Sequence, residues 1–334
     1  MKQGIEIGGL VISLDLELYW GLRDVISPSS RYWENLRGER SAIKAILEVF
    51  EEFEVAATWA TVGFLFTDSE LDARRHFPDV MPQYSDQSLV PYSEFESEKR
   101  PDDSFLFCPE IIDAIKKTPL QEIATHTFSH YYCCEPGQTR EAFRSDIESA
   151  VKAAQESGVE LRSIVFPRNQ HNSEYDDILA ENGIICYRGN QQSEMYKFGY
   201  RKSQSPIRRM SRLADTFVNL SGTNTYKWAD VWTGNLANLP ASAFLRPVST
   251  GRGVAGHLQA RRLIGALETA ARQQEIFHLW WHPHNFGAKI SENIAFLRRL
   301  LEHFAKLRNE TGIGSFTMAA AADLARQKAF AAAV

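Results

Sequence analysis

Two carboxylates near the start of the chain lie in the segment VISLDLELYW. Asp15 and Glu17 are two residues apart, and alternate residues of an extended chain point to the same side. Both side chains can therefore face one site. Because apolar residues surround the pair, a functional role is favoured over a solvated pair at the surface.

Two histidines in the middle of the chain form an H-x-x-x-H motif. His126 and His130 lie in the segment ATHTFSHY, and a helix or turn after a strand would place both imidazoles on one face. Two neutral imidazoles plus a carboxylate suit Zn²⁺, Co²⁺, Ni²⁺ or Fe²⁺ and leave coordination positions open for water. The spacing alone is a weak signal, because a chain of this length with nine histidines has roughly a one in four chance of containing some such pair.

Two further clusters of polar residues each follow a predicted strand: Arg168, Asn169 and Gln170 in one, and His282, His284 and Asn285 in the other. The second cluster follows the aromatic segment FHLWW, and one of its histidines could donate a proton to a leaving group. By contrast, His278 lies inside the apolar strand, where a packing role is expected.

Strand-like and helix-like segments alternate along the chain and must position these residues. Apolar runs predict seven strands, at 9–16, 55–62, 120–125, 161–166, 184–187, 276–281 and 314–316. Helical periodicity falls between them, for example at 40–53 and 139–157. This alternation predicts an α/β fold, a single distorted (β/α) barrel of about seven parallel strands. Ligands of such folds bind at the carboxyl ends of the strands, where all four polar clusters lie.

Two stretches interrupt the alternation within what is expected to be one domain spanning 1–334. Residues 67–107 are rich in proline, serine and acidic side chains and are interpreted as a loop insertion or lid. Residues 188–256 are interpreted as long loops around one or two short helices.

Composition excludes several classes of protein. A hydrophobic fraction of 44% and a charged fraction of 24% are typical of a globular chain. The net charge of −5 argues against a surface built for nucleic acid. No stretch approaches the length of a transmembrane helix, and the four cysteines are expected to be reduced thiols. These features favour a cytoplasmic protein, while its oligomeric state stays open.

The order of the motifs resembles the polysaccharide deacetylase family, carbohydrate esterase family four. That family has an acidic pair after a hydrophobic strand, as in SLDLE, and a strand of the type A-T-F-F-x-x-G, as in ATWATVG. Its H-[ST]-x-x-H motif matches HTFSH, and its L-x-x-H motif matches LWWH, which ends at His282. The segment HPHNF, which begins at His282, resembles the corresponding segment of family members from bacterial surface-polysaccharide biosynthesis. The similarity spans roughly residues 10 to 285.

Three features differ from the family pattern. The family usually has adjacent aspartates, whereas this chain has Asp15-x-Glu17. The usual R-x-P-[FY]-G motif is replaced by FPRNQHN, with Arg168 after the proline. We find no D-x-x-D-W motif.

The resemblance implies roles for individual residues. Glu17, His126 and His130 would bind one divalent metal ion, with zinc favoured over cobalt, nickel, manganese or iron. Asp15 would be the general base, His282 would protonate the leaving amine, and Arg168 would hold Asp15 ionised or bind a substrate anion. A further group is expected to contact substrate: Trp20, Trp59, Asn169, Gln170, His284 and Asn285.

The implied activity is hydrolysis of the N-acetyl or another N-acyl group of a sugar or a sugar-containing precursor, in bacterial surface polysaccharide or O-antigen biosynthesis. Two alternatives remain at this stage. One is a metal-independent hydrolase of cyclic imides or amides on the same fold. The other is a non-catalytic, carbohydrate-binding homologue, which the altered motifs would explain.

Overall fold

A parallel β-sheet forms the centre of the protein, in a computed structural model that describes residues 7–27, 29–191, 206–232, 234–248 and 253–332. Eight strands follow one another in the spatial order β6-β5-β4-β3-β2-β1-β8-β7, and a ninth, β9, also pairs with β1. The strands are β1 (Gly9–Leu16), β2 (Ala57–Thr61), β3 (Gln121–Thr125), β4 (Ser163–Ile164), β5 (Cys186–Tyr187), β6 (Ala237–Asn238), β7 (Ala243–Phe244), β8 (Ile276–Trp281) and β9 (Gly314–Phe316).

Strand β1 is the central element of this sheet. All eight of its residues are buried, as expected for a strand of a parallel sheet that is covered on both faces. It pairs in parallel with β2, β8 and β9, and its register sets Asp15 opposite Ala60 and Ser13 opposite Trp280. The carboxyl ends of β1, β2 and β8 therefore open at the same edge.

Helices cover the sheet, and together they form a curled half-barrel that confirms the predicted distorted (β/α) barrel. The helices are α1 (Trp33–Glu52), α2 (Glu70–Arg75), α3 (Pro109–Lys117), α4 (Arg140–Glu156), α5 (Asp176–Glu181), α6 (Pro206–Phe217), α7 (Val254–Gln273), α8 (Ile290–Thr311) and α9 (Met318–Ala332). Their apolar stripes face the core, which joins β1 to α1, α7 and α8.

The two stretches predicted as loops contain more structure than expected. The segment 188–256 contains α6 and also β6 and β7, which are only two residues long and therefore leave no periodic signal. Its residues 192–205, 233 and 249–252 lie outside the described part of the chain. Residues 67–107 include α2 and short 3₁₀ turns, and they bury Tyr84, Tyr92 and Phe95. Spaced aromatic anchors, rather than regular periodicity, hold this segment on the barrel.

Candidate metal centre

The candidate site lies where five parallel strands end. Asp15 and Glu17 lie at the end of β1, and both are buried. His126 follows β3 directly, Arg188 follows β5, and His282 follows β8. A short turn at Pro167–Asn169, after β4, lies at the same edge of the sheet. The structure therefore brings these side chains together at the carboxyl edge of the sheet, the edge at which the sequence pattern predicts them.

Glu17 is surrounded by imidazole nitrogens. Its Oε2 atom lies 3.5 Å from Nε2 of His126 and 3.2 Å from Nε2 of His130. Its Oε1 atom lies 3.2 Å from Nε2 of His284 and 3.6 Å from Nε2 of His282. A Cβ atom at Gly21 would overlap the Glu17 carboxylate, so a larger residue there would displace that carboxylate. One carboxylate thus joins two pairs of histidines.

The H-x-x-x-H motif is a tight turn rather than a helix. Thr127 and His130 both adopt left-handed backbone angles, with φ of 64° and 59°. The carboxylate of the buried Asp146 on α4 holds the turn, since it accepts hydrogen bonds from the backbone N–H groups of Phe128 and Ser129 at 2.7 and 3.2 Å. This turn, instead of a helical face, brings the two imidazoles together, with ring centroids 5.0 Å apart.

Hydrogen bonds to the far side of each ring orient its Nε2 atom towards Glu17. Nδ1 of His126 bonds to the backbone oxygen of Val165 at 2.8 Å. A carbonyl oxygen can only accept, so the proton of neutral His126 is on Nδ1, and its Nε2 carries a lone pair. Nδ1 of His130 is 3.1 Å from the hydroxyl of Tyr132. Such outer contacts fix the ring orientation of metal-binding histidines.

Asp15 is held by an arginine that the motif comparison did not identify. Arg188, fully buried, donates two hydrogen bonds to the Asp15 carboxylate, at 2.6 and 2.8 Å. It also donates to Ser13 Oγ at 3.0 Å and to Asn169 Oδ1 at 2.9 Å. The predicted pairing of Arg168 with Asp15 is therefore wrong. Arg188 directly follows the predicted strand 184–187. Ligands of parallel α/β folds bind at the carboxyl ends of strands, and applying this strand-end rule to 184–187 would have identified Arg188.

Arg168 has a different set of partners. It donates to the buried Asp24, lies 3.8 Å from Glu135, and stacks over the ring of Tyr132 at 4.2 Å. Its side chain is 23% exposed. A backbone φ of 54° turns it away from Asp15, which is the local reason for the corrected pairing.

Two other predicted substrate contacts beside Arg168 have internal partners. Asn169 accepts a hydrogen bond from Arg188 and thus supports the Asp15 pair. Gln170 is buried, donates to Glu135 at 2.9 Å, and accepts from the backbone N–H of Cys134 at 3.1 Å. Gln170 thus fixes loops beneath the site rather than facing a ligand.

The two tryptophans predicted to contact substrate lie in the core, and this prediction is corrected. Trp20 is fully buried, donates to the backbone oxygen of Leu106 at 2.8 Å, and packs on Phe64 at a centroid distance of 4.2 Å. Trp59 is also fully buried and donates to Gln121 at 3.0 Å. Aromatic rings placed this deep cannot stack on a sugar from solvent. Trp280, half-buried and stacked on Arg188 at 4.1 Å, is nearer to the site.

The histidines after β8 complete the group. His282 is 24% exposed, and its Nε2 atom lies 3.7 Å from Asp15 Oδ2. His284 is buried, and its Nδ1 atom is 2.7 Å from the hydroxyl of Tyr32. Asn285 donates to the same hydroxyl at 2.8 Å. The structure therefore places His284 against Glu17, whereas it was predicted to contact substrate.

A buried glutamate on α1 adds a further carboxyl group. Glu39 is completely buried, and no side chain among the described residues hydrogen-bonds to its carboxyl group. Helix α1 packs so closely on the loop after His284 that a Cβ atom at Gly38 would overlap the backbone of Gly287. Nothing in the sequence pattern indicated this group, because Glu39 reads as an ordinary helical residue.

Burial and charge shift the protonation of the site in opposite directions. Burial opposes ionisation of Glu17, but His282 and the other imidazoles around the carboxylate outweigh that effect, so the pKa of Glu17 lies well below its usual value. Arg188 likewise outweighs burial and keeps the pKa of Asp15 low. Burial lowers the pKa of His130 to about 4. The site therefore has ionised carboxylates and a neutral His130 near pH 7. Burial and the Glu17 charge raise the pKa of Glu39 well above its usual value.

These donors fit a divalent metal ion. Glu17, His126 and His130 offer one carboxylate oxygen and two imidazole nitrogens, all within 4.8 Å of one another. Two ligands about 2.1 Å from one ion at a tetrahedral angle are about 3.4 Å apart. The observed separations of 3.2 and 3.5 Å from Glu17 match that geometry.

Comparisons with known proteins agree with the fold and with the motifs. Residues 37–186 match the polysaccharide deacetylase family model. A candidate polysaccharide deacetylase from Mycobacterium smegmatis superimposes with a TM-score of 0.59 at 17% identity, over 98% of this chain and 93% of that one. No curated protein matches the chain significantly. The chain therefore contains a region that matches the polysaccharide deacetylase family model, and the resemblance predicted from its motifs is confirmed.

Other solved structures share only the fold. A GH57-type branching enzyme from Pyrococcus horikoshii has a TM-score of 0.51 at 13% identity, over 93% of this chain and 69% of that one. A 4-α-glucanotransferase from Thermococcus litoralis has a TM-score of 0.52 at 13% identity, over 96% of this chain and 40% of that one. Among the described residues, no helix has the length and apolar character needed to cross a membrane.

Proposed function

We propose that this protein is a metal-dependent deacetylase that hydrolyses the N-acetyl or another N-acyl group of a sugar. The observation that carries the proposal is the triad of Glu17, His126 and His130 next to an Asp15 held by Arg188. The family match over 37–186 supports it and includes both histidines of the triad.

The triad would hold one divalent ion, with zinc the first candidate and cobalt, nickel, manganese or iron as alternatives. When bound, such an ion lowers the pKa of a water ligand and polarises the amide carbonyl. The outer hydrogen bonds of His126 and His130 keep both Nε2 atoms directed at the ion.

Asp15 would take the proton from the attacking water. Arg188 keeps it ionised and fixes its orientation through two hydrogen bonds. His282 would donate a proton to the leaving amine. Its Nε2 atom lies 3.7 Å from Asp15 Oδ2, so the proton acceptor and the proton donor are adjacent.

The substrate would approach from the side of His282, where part of the ring reaches solvent. Trp280 beside it offers an aromatic face of the kind that stacks on sugars. We propose an N-acetylated sugar or sugar-containing precursor of bacterial surface polysaccharide as the substrate class. The family and the HPHNF motif support this choice.

Metal content and acyl release test the proposal together. Protein purified without a histidine tag is analysed by elemental mass spectrometry, and acetate release from acetylated nucleotide sugars is measured before and after chelation. We expect about one tightly held ion per chain, lost in His130→Ala, and activity that disappears with the ion. The matched control is His303→Ala, on an imidazole of α8 that lies outside the site.

Two results would overturn the proposal. Amide or imide hydrolysis that survives complete chelation would indicate a metal-independent hydrolase. Sugar binding without turnover, at any pH and with any added metal, would indicate a non-catalytic homologue.

A further inference from the structure

The proposed function uses only one oxygen of Glu17 as a metal ligand. The other oxygen, Oε1, faces a second pair of imidazoles, with Nε2 of His284 at 3.2 Å and Nε2 of His282 at 3.6 Å. These three residues form a second triad whose ligand atoms lie within 4.8 Å of one another. Their separations from Glu17 match those of the first triad, at 3.2 and 3.5 Å.

One ion cannot serve both triads. Ligands about 2.1 Å from a single ion are at most about 4.2 Å apart, even when they lie on opposite sides. The two triads share Glu17 but do not merge into one set at 4.8 Å within the described part of the chain. The two pairs of histidines therefore define two positions on either side of one carboxylate.

The second position has its own supporting contacts. Nδ1 of His284 bonds to the Tyr32 hydroxyl at 2.7 Å, which directs Nε2 towards Glu17, and Asn285 donates to the same hydroxyl. This is the outer arrangement that orients metal-binding histidines. It parallels the contacts of His126 and His130.

A second buried carboxyl group next to Glu17 is a further observation. Glu39 is fully buried, with the Glu17 charge and the backbone N–H of His284 close to its carboxyl group. A buried carboxyl group beside another carboxylate is costly to ionise. A cation on the His284 side of Glu17 would offset the charge of both groups.

We infer that the chain has a second divalent-cation position, formed by Glu17 Oε1, His282 and His284, and that its occupation inhibits hydrolysis. The inhibition rests on the proposed function, in which His282 protonates the leaving amine. An imidazole whose Nε2 lone pair is bound to a cation cannot carry a proton on that atom. The second position is also the weaker one, because His282 is 24% exposed and Glu17 is already shared with the first triad.

Metal titration of the chelator-treated protein tests the inference without relying on activity. Zinc binding is followed by equilibrium dialysis with elemental mass spectrometry, on wild type, His284→Ala and His130→Ala. We expect two ions per wild-type chain, with the second binding at least tenfold more weakly. His284→Ala should keep only the tight ion, and its retention also shows that the variant is folded. His130→Ala should lose the tight ion.

Acyl release measured over the same zinc range provides the second readout. Activity should rise up to one equivalent and then fall at least tenfold as the second ion binds. A single ion at saturation in wild type would overturn the inference and leave the proposed function standing. A second ion that persists in both His284→Ala and His282→Ala is bound elsewhere and would also overturn it. No bound ion at all would overturn the proposed function itself.

Discussion

Two glutamates at opposite ends of the sheet show how similar side chains acquire different roles. Glu122, at the amino end of β3, accepts hydrogen bonds from Thr58 Oγ1 at 2.8 Å, from the backbone N–H of Ala319 at 3.1 Å, and from Ser163 Oγ. Glu17, at the carboxyl end of β1, faces imidazole nitrogens on both of its oxygens.

The difference lies in what the neighbours can do. Hydroxyl and backbone N–H groups saturate Glu122 as ordinary donors, and its contact with Ala319 ties the start of α9 to the sheet. Imidazoles oriented by outer hydrogen bonds can exchange a proton for a metal ion. We therefore interpret the amino edge as structural and the carboxyl edge as chemical, in agreement with the general rule for parallel α/β folds.

The largest effect is expected from exchanging each glutamate for its amide. Glu17→Gln removes the charge shared by both triads and should abolish stoichiometric metal binding, with a loss of activity of about 10³-fold or more. Glu122→Gln should leave metal binding at the carboxyl edge unchanged. It should lower the free energy of unfolding by about 1–3 kcal/mol, because an amide NH₂ would face hydrogen-bond donors. Elemental analysis and urea unfolding separate the two outcomes. Metal loss in Glu122→Gln would contradict the purely structural role assigned to Glu122.

The two arginines of the carboxyl edge allow a second contrast. Arg188→Met leaves the buried Asp15 unpaired, which should cost about 3–5 kcal/mol of stability. Arg188 lowers the pKa of Asp15, so its removal raises that pKa and moves the acidic limb of the activity profile to higher pH. Arg168→Met removes a partner of Asp24 instead. It should destabilise the protein without moving that limb, and equal shifts in both variants would contradict the assignment of Arg188.

A buried histidine outside the metal triads extends the contrast to imidazoles. His278 lies between Leu239 O and Ser13 Oγ, and burial lowers its pKa to about 3 from a usual value of 6.5. Its contribution to stability is thus present above about pH 6.5 and is lost as the pH falls towards 3. Replacement by glutamine should reduce the slope of unfolding free energy against pH by about 1.4 kcal/mol per unit in this window. Urea unfolding at several pH values measures the slope, and identical slopes would exclude this role.

The smallest effect is expected at the outer contact of His284. Tyr32→Phe removes the hydroxyl that bonds to Nδ1 and should weaken the second metal position by about 10–100-fold. The first position should be unaffected, because its histidines bond to Val165 and Tyr132 instead. In zinc titrations, Tyr32→Phe should therefore weaken only the second ion, and Tyr132→Phe should weaken only the first. Equal weakening of both ions in each variant would indicate a single coupled centre.

Much of the site could be anticipated because the strand-end rule depends only on local patterns. Apolar runs mark the strands, and the polar residues that follow them must meet at one edge of a parallel sheet. This reasoning correctly placed Asp15 and Glu17 with His126 and His282. It also named Asn169, although the structure places that side chain in a supporting contact with Arg188.

Pairings between strand ends could not be read from the sequence. Arg168 and Arg188 both follow strands, yet the left-handed backbone of Arg168 sends it to Asp24, while Arg188 reaches Asp15. The depth of an aromatic side chain is equally a property of packing. Trp20 and Trp59 are near the site in sequence order, but both are fully buried in the apolar core.

By itself, the sequence determined the parallel α/β architecture, the family resemblance and the set of metal-capable residues, because periodicity and residue type are local properties. Only the tertiary structure decided that Glu17 lies between two pairs of histidines, that Arg188 holds Asp15, and that Glu39 is buried beside them. Those contacts join residues far apart in the chain, and they depend on how the strands align and how closely α1 packs on the loop after β8.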